Sequence, residues 1–165
     1  MWVAGAKKTN APSRLTLLCQ TNEGYQNLLK LITLSYLEGQ TDGRPVVRKD
    51  MLESLSSGLI ALSGAQEGDI GKAILSQNPD QVKKCAIYWQ QLFPNRFYIE
   101  ISRVGKASER DYIPAAIQLA ESLSIPVVAT NDVRFLERED FEAHEARVCI
   151  QEGVTLNVIN FSKFW

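Results

Sequence analysis

The sequence predicts an α/β fold of alternating βα units around a mainly parallel sheet, either an open sheet or part of an α/β barrel. Short apolar runs bounded by turn residues alternate with amphipathic segments along the chain. Near-continuous apolar strands separated by helices are typical of parallel sheets. The 165 residues also suffice for one domain with its own core.

The first βα unit is predicted from residue 15 onward. Leu15–Cys19 is a short apolar run that favours a buried strand. Glu23–Tyr36 then has helical periodicity, with Asn22 as the N-cap and Gly39 as the stop. The apolar residues that recur along this helix are Tyr25, Leu28, Leu29, Ile32, Leu34 and Tyr36.

The second unit follows an exposed connection. Gly39–Pro45 is rich in turn residues, and Arg48–Leu55 is a short helix. Gly58–Ser63 is an apolar run that predicts the second strand. The loop Gly64–Gly71 lacks the spacing of a phosphate-binding motif, so we favour turn geometry over an anion site.

The remaining units show the same alternation. Asn78 and Pro79 mark the start of a helix, because asparagine caps helices and proline suits their first turn. The predicted elements are a helix over Asp80–Leu92, a strand over Phe97–Ile101, a helix over Arg110–Leu123, a strand over Pro126–Thr130 and a helix over Glu137–Ile150. In such folds the functional residues lie in loops at the carboxyl ends of the strands.

Composition excludes several classes of protein. Eighteen Lys and Arg against 19 Asp and Glu give a net charge of −1, so no global footprint for nucleic acid exists. No apolar window is long enough for a membrane helix, and we expect a cytoplasmic protein without a membrane partner. Cys19, Cys85 and Cys149 are too few and too scattered for a disulfide framework, and each is expected to be buried.

Two carboxylates near strand ends are the candidate site residues. Glu100 lies late in one predicted strand and Asp132 just beyond another, so both could face one metal site. Arg134 could instead neutralise Asp132 in a structural ion pair, which we favour. His144, the single histidine, lies on a predicted helix and is interpreted as structural.

Other conspicuous residues receive a structural interpretation. The aromatic residues Trp89, Phe93 and Phe97 do not alternate with basic residues, so they indicate core packing rather than base stacking. Four charged residues are expected to be exposed and fit a solvated surface as well as a docking surface: Lys83, Lys84, Glu109 and Arg110.

Four ordered blocks carry a family resemblance. They are Gly58-Leu-Ile-Ala-Leu-Ser-Gly64, Phe97-Tyr-Ile-Glu-Ile101, Ile125-Pro-Val-Val-Ala-Thr-Asn-Asp-Val-Arg134 and Ala143-His-Glu-Ala-Arg-Val-Cys-Ile150. Together they resemble the PHP (polymerase and histidinol phosphatase) domain at the amino end of the bacterial replicative polymerases. The resemblance implies part of a distorted, TIM-like PHP barrel over residues 1–156. The family's opening His-x-His block and its polymerase domains lack counterparts, and residues 157–165 form an atypical tail.

The metal site of that family has changed here. Metal-binding members carry Cys where this chain has Ala65, and His where it has Val104 and Arg134. Only Glu100 and Asp132 match the remaining ligand positions. The resemblance therefore implies five vestigial positions, no catalytic residue and no bound metal, because two carboxylates alone hold a transition metal poorly.

The resemblance implies a fragment of a replicative DNA polymerase. Its PHP portion would be a non-catalytic scaffold that docks the proofreading exonuclease (epsilon) subunit, while the missing domains contact DNA and use Mg²⁺. One alternative is a metal-dependent 3'-to-5' exonuclease or phosphoesterase, in which Glu100, Asp132 and His144 join ligands outside this chain to bind Zn²⁺ or Mn²⁺. A second alternative is an unrelated α/β hydrolase barrel.

Overall fold

The computed structural model describes residues 1–4, 11–41 and 43–156. In chain order the elements are β1 (Trp2–Val3), β2 (Ser13–Arg14), β3 (Thr16–Cys19), α1 (Asn22–Leu37), β4 (Gln40–Thr41), β5 (Arg44–Pro45), α2 (Lys49–Leu55), β6 (Leu59–Leu62), α3 (Asp69–Leu75), α4 (Pro79–Leu92), β7 (Phe97–Ser102), α5 (Glu109–Leu123), β8 (Val127–Thr130) and α6 (Phe141–Glu152). Single 3-10 turns lie at Ala65–Glu67 and Arg138–Asp140. The atypical tail, 157–165, lies outside the described residues. Within them, no helix is long and apolar enough to cross a membrane.

The central sheet has four strands in the order β3-β6-β7-β8. The pairs β6–β7 and β7–β8 are parallel, which confirms the mainly parallel α/β fold. The first strand differs from the predicted repeat, because β3 runs antiparallel to β6 with Thr16 opposite Leu62. An apolar run has the same pattern in either direction, and the long connection between β3 and β6 can return to either end of the sheet. The prediction that this strand is buried is wrong, because β3 is an edge strand whose residues are half-buried or exposed, with Leu18 48% exposed.

The hydrophobic core contains the aromatic residues that the sequence analysis assigned to it. Trp89, Phe93 and Phe97 are buried together with Ile99 and Tyr112. Further fully buried side chains are Leu15, Leu31, Leu52, Leu59 and Ile70. Contacts between α5 and β7 connect a helix to the sheet, and α3 packs against both α4 and α5.

Helix α1 has a different N-cap from the predicted one, and a different side of it is buried. Thr21 is its N-cap, since the Thr21 hydroxyl accepts a 3.1 Å hydrogen bond from the Gly24 N–H. Its buried residues are Gly24, Asn27, Leu31 and Ser35. The predicted apolar residues Tyr25, Leu29, Ile32 and Tyr36 are instead 42–57% exposed. The helix buries Leu31 together with small and polar residues, and its backbone at Gly24 lies directly against Gly58.

The loop after β6 contains a helix that the sequence analysis missed. Gly64 has a φ of +77°, and an added Cβ would lie 2.2 Å from the Arg14 carbonyl oxygen, so this glycine serves turn geometry. Helix α3 follows at Asp69–Leu75 and buries Ile70. Three glycines within eight residues concealed it, because glycine disfavours helices.

The last part of the described chain departs from the prediction in two ways. The helix expected over Glu137–Ile150 is divided into the 3-10 turn at Arg138–Asp140 and α6. All three cysteines are free, as predicted, but Cys19 is exposed while Cys85 and Cys149 are buried. Cys19 is the last residue of β3, an edge strand of the sheet, which explains its exposure.

Candidate functional site

A small cavity lies at the edge of the sheet where β6, β7 and β8 end. Its volume is about 60 Å³, and its lining includes Ala65, Glu100, Val104 and Asp132. Because β3 is antiparallel to β6, its first residue, Thr16, also lies at this edge. The fold therefore brings together four of the five vestigial positions proposed from the sequence. The fifth, Arg134, does not line the cavity.

The Glu100 carboxylate occupies the centre of this strand-end region and is only 6% exposed. Its Oε1 accepts a 2.8 Å hydrogen bond from the Thr130 hydroxyl. Its Oε2 accepts from the Gly64 N–H at 3.0 Å and from the Thr16 hydroxyl at 3.5 Å. Among the described residues, no Lys, Arg or His nitrogen lies within 4.0 Å of it. The carboxylate is therefore satisfied by neutral donors alone.

The backbone of Glu100 is fixed as firmly as its side chain. Its N–H donates a 2.9 Å hydrogen bond to Ser63 Oγ, and its carbonyl accepts a 2.6 Å hydrogen bond from the Tyr112 hydroxyl. Burial raises the pKa of Tyr112 to about 12, so this hydroxyl remains a donor at neutral pH. Helix α5 thus holds β7 at the level of the cavity.

Asp132 and Arg134 form the ion pair that the sequence analysis favoured. Arg134 Nη2 lies 2.7 Å from Asp132 Oδ2. The pair is not buried, because the Arg134 side chain is 46% exposed and the Asp132 side chain 31% exposed. The pair follows the end of β8, where exposed loop replaces the sheet. Such an exposed pair contributes little to stability.

Glu109 lines the cavity, and the prediction that it is exposed is wrong. It is the first residue of α5 and is 7% exposed. Its carboxylate accepts hydrogen bonds from the N–H groups of Val104 at 2.7 Å and Gly105 at 3.1 Å. The bond from Val104 is the main reason that the pKa of Glu109 lies below its usual value. An acidic residue in a first helical turn after a glycine-containing loop was the available signal.

A side-chain contact links the two loops beside the cavity. The Ser108 hydroxyl donates a 2.8 Å hydrogen bond to Gln66 Oε1, which joins the start of α5 to the turn after β6. Ser102 Oγ is buried and has no hydrogen-bond partner among the described residues, and Ser102 also lines the cavity. The cavity is large enough for water molecules.

His144 lies apart from this site. Its ring is 5.5 Å from the Phe135 ring, and its Nδ1 is 3.3 Å from Arg147 Nη2. It does not line the cavity. This placement agrees with the structural interpretation of the residue.

The donor set at the cavity does not fit a zinc or manganese ion. Over residues 1–4, 11–41 and 43–156, no group of three or more His, Cys, Asp or Glu side chains could hold a metal. Ala65 and Val104 offer no side-chain ligand atom, and both oxygens of Glu100 already accept hydrogen bonds. Zinc sites need several nitrogen, sulfur or oxygen ligands.

The fold and the comparison with known families together define a PHP domain. The PHP domain model matches residues 1–104, and the chain belongs to this family, as the resemblance predicted. The chain is 43% identical to DNA polymerase III subunit alpha of Pseudomonas aeruginosa over 157 residues, which are 95% of this chain and 13% of that protein.

Two further relatives have the same name. The chain is 44% identical over 145 residues to DNA polymerase III subunit alpha of Escherichia coli K12, covering 88% of this chain and 12% of the relative. It is 45% identical over 144 residues to that of Vibrio cholerae, covering 87% and 12%. The chain therefore spans about one eighth of the length of these curated relatives.

Proposed function

We propose that this chain is part of a DNA polymerase III alpha subunit, where it forms a non-catalytic PHP domain. In this role the domain supports the polymerase and docks the proofreading exonuclease (epsilon) subunit. The parent protein extends DNA by nucleotidyl transfer with Mg²⁺, using domains outside this chain, and works in the cytoplasm. The names of the three relatives support the parent protein.

The hydrogen bonding of the Glu100 carboxylate is the main support for a domain without catalytic activity. A carboxylate that binds a catalytic metal needs free lone pairs directed at the ion. Here the Glu100 oxygens accept hydrogen bonds from Thr16, Gly64 and Thr130. Ala65 and Val104, on the opposite loops, supply no replacement ligand. No metal-bound hydroxide is therefore expected here.

Charge supports a protein partner over nucleic acid for this domain. The net charge is −1, and binding to nucleic acid depends on an excess of Lys and Arg near phosphates. Protein interfaces carry no such requirement. DNA contacts would belong to the polymerase domains outside this chain.

A binding assay tests the docking role. The 165-residue chain is immobilised, and the epsilon subunit from the same organism is passed over it. We expect saturable binding by the folded chain. Absence of binding by a chain that is folded by circular dichroism overturns the docking role.

The second candidate is the metal-dependent exonuclease or phosphoesterase. One observation favours it: Glu100 and Asp132 line the same cavity. It predicts that the full-length domain, which includes the ligands outside this chain, cleaves single-stranded DNA with Mn²⁺ or Zn²⁺ and that Asp132→Ala abolishes the cleavage. We expect no such cleavage by the full-length domain, and metal-dependent cleavage lost in Asp132→Ala would replace the first proposal.

A further inference from the structure

The strands β6 and β7 are paired over a shorter length than their neighbours, and their pairing ends before the cavity. The pairs β3–β6 and β7–β8 each comprise four residue pairs, whereas β6–β7 comprises two, Ala61–Phe97 and Leu62–Tyr98. One more backbone bond follows, from the Ser63 N–H to the Tyr98 carbonyl at 3.0 Å. Beyond it, the two strands need another connection at their carboxyl ends.

The side chains of Ser63 and Glu100 connect the two strands, each by a hydrogen bond to the backbone of the other's strand or turn. Ser63 Oγ accepts the Glu100 N–H at 2.9 Å, and Glu100 Oε2 accepts the Gly64 N–H at 3.0 Å. Each side chain thus satisfies a backbone N–H of the opposite strand or its turn. Both Ser63 and Glu100 are buried, so water cannot readily replace either bond.

The same carboxylate also reaches the outer strands. Thr16 is the first residue of β3, and Thr130 is the last residue of β8. The Thr130 hydroxyl donates a 2.8 Å hydrogen bond to Glu100, which belongs to β7, and the Thr16 hydroxyl donates a longer and weaker one of 3.5 Å. We propose that Glu100 is the centre of a strand-end brace, formed with Thr16, Ser63, Gly64 and Thr130, that holds the ends of all four strands together without a metal.

A carboxylate suits this position better than other side chains. Its two oxygens accept several hydrogen bonds, while an amide of the same size has one acceptor oxygen and adds two N–H donors. Bonds to an ionised acceptor are stronger than bonds between neutral groups. The turn at Gly64 packs closely against the chain at Arg14, since even an added Cβ would lie 2.2 Å from the Arg14 carbonyl oxygen, so the turn cannot shift freely to compensate.

The brace goes beyond the proposed function, since it concerns the fold whether or not the domain docks a partner. It also bears on the metal site: a cation at Glu100 would have to displace donors that connect the strands. The residue is therefore a retained ligand position with a changed role. Failure of the binding assay would leave this inference untouched.

A mutant cycle with hydrogen exchange tests the brace in the 165-residue chain. The variants are Glu100→Gln, Thr130→Val, Ser63→Ala and the double variant Glu100→Gln/Thr130→Val. We expect each single variant to lower the thermal midpoint by about 3–12 °C. The double variant should lose less than the sum of its parents, because both remove the same bond. Glu121→Gln and Thr33→Val, at exposed positions on α5 and α1, are the controls.

Amide exchange separates a brace from a general loss of stability. Glu100→Gln should increase the exchange rate of the Gly64 amide, and Ser63→Ala should increase that of the Glu100 amide. Each increase should exceed the change at the backbone amides that pair β3 with β6. If Glu100→Gln does not fold, the same readout in Ser63→Ala and Thr130→Val decides the question. Additive midpoint losses with no preferential exchange at the strand ends would overturn the brace.

Discussion

The Trp89 indole N–H donates a 2.8 Å hydrogen bond to Oδ1 of Asp69, which joins α4 to the first residue of α3. Lys49 Nζ lies 3.4 Å from the same carboxylate and 4.9 Å from the centre of the Trp89 ring. Trp89 itself is 2% exposed. Asp69 therefore satisfies both the buried N–H of α4 and a cation from α2.

Removing the Asp69 carboxylate should destabilise the chain. Asp69→Ala leaves the Trp89 N–H without a partner in the core, and we expect a loss of about 2 kcal/mol in the free energy of unfolding. Urea unfolding followed by circular dichroism measures it. Asp80→Ala, at the start of α4, should cost under about 1 kcal/mol. Equal effects of the two changes would contradict the role of Asp69.

Gly24→Ala should destabilise the chain although alanine favours helices. An added Cβ at Gly24 would lie 1.8 Å from the Gly58 carbonyl oxygen, so α1 would have to move away from the start of β6. Gln26→Ala, on the exposed side of α1, should be neutral or slightly stabilising. Thermal melts of the two variants compare them directly. A higher midpoint for Gly24→Ala would contradict the observed helix contact.

Glu109→Gln should loosen the loop that follows β7. The amide keeps one acceptor for the two N–H donors of Val104 and Gly105, and we expect a loss of about 1–2 kcal/mol at neutral pH. Hydrogen exchange at these two amides should quicken. Unchanged exchange there would mean that the Glu109 carboxylate does not hold the loop.

The effect of Glu109 depends on pH in a defined direction. Its pKa is lowered in the folded chain from the ordinary value of 4.5, so the unfolded chain takes up the proton first as pH falls. The stabilisation from Glu109 is complete above about pH 4.5 and is lost as pH falls through the lowered folded pKa. The stability difference between the chain and Glu109→Gln should therefore narrow below that pH. A difference that widens in acid would contradict the assignment.

Thiol labelling should distinguish the three cysteines. Cys85 is buried, its Sγ lies 3.1 Å from Gln81 Nε2, and burial raises its pKa to about 11, so its thiolate is scarce at neutral pH. Cys149 is also buried. An aromatic disulfide reagent should modify Cys19 alone in the folded chain and all three in denaturant. Rapid modification of Cys85 would contradict the packing of α4.

The helices and strands that were predicted correctly are marked by residues within or next to them in the sequence. The N-cap at Asn78 is confirmed, because its side chain accepts a hydrogen bond from the Gln81 N–H at 3.1 Å. The apolar runs of β6, β7 and β8 fall where they were expected. Periodicity and capping act within a few residues, so one sequence is enough to read them.

The missed features depend on contacts between distant residues. The orientation of α1 is set by the approach of Gly24 to Gly58, and the burial of Glu109 by the loop that it holds. The sequence placed Glu100 and Asp132 at one edge of the sheet, but it could not indicate that Thr16 and Thr130 would engage Glu100. Those partners are 84 and 30 residues away along the chain.

Thermal unfolding with and without metal tests most directly the claim that the strand-end site is held without a metal. The 165-residue chain is melted in chelator and then with excess Zn²⁺ or Mn²⁺, with far-UV circular dichroism as the signal. We predict one cooperative transition whose midpoint does not move. A midpoint that rises with metal concentration would contradict the account, because a ligand that binds the folded state stabilises it by mass action.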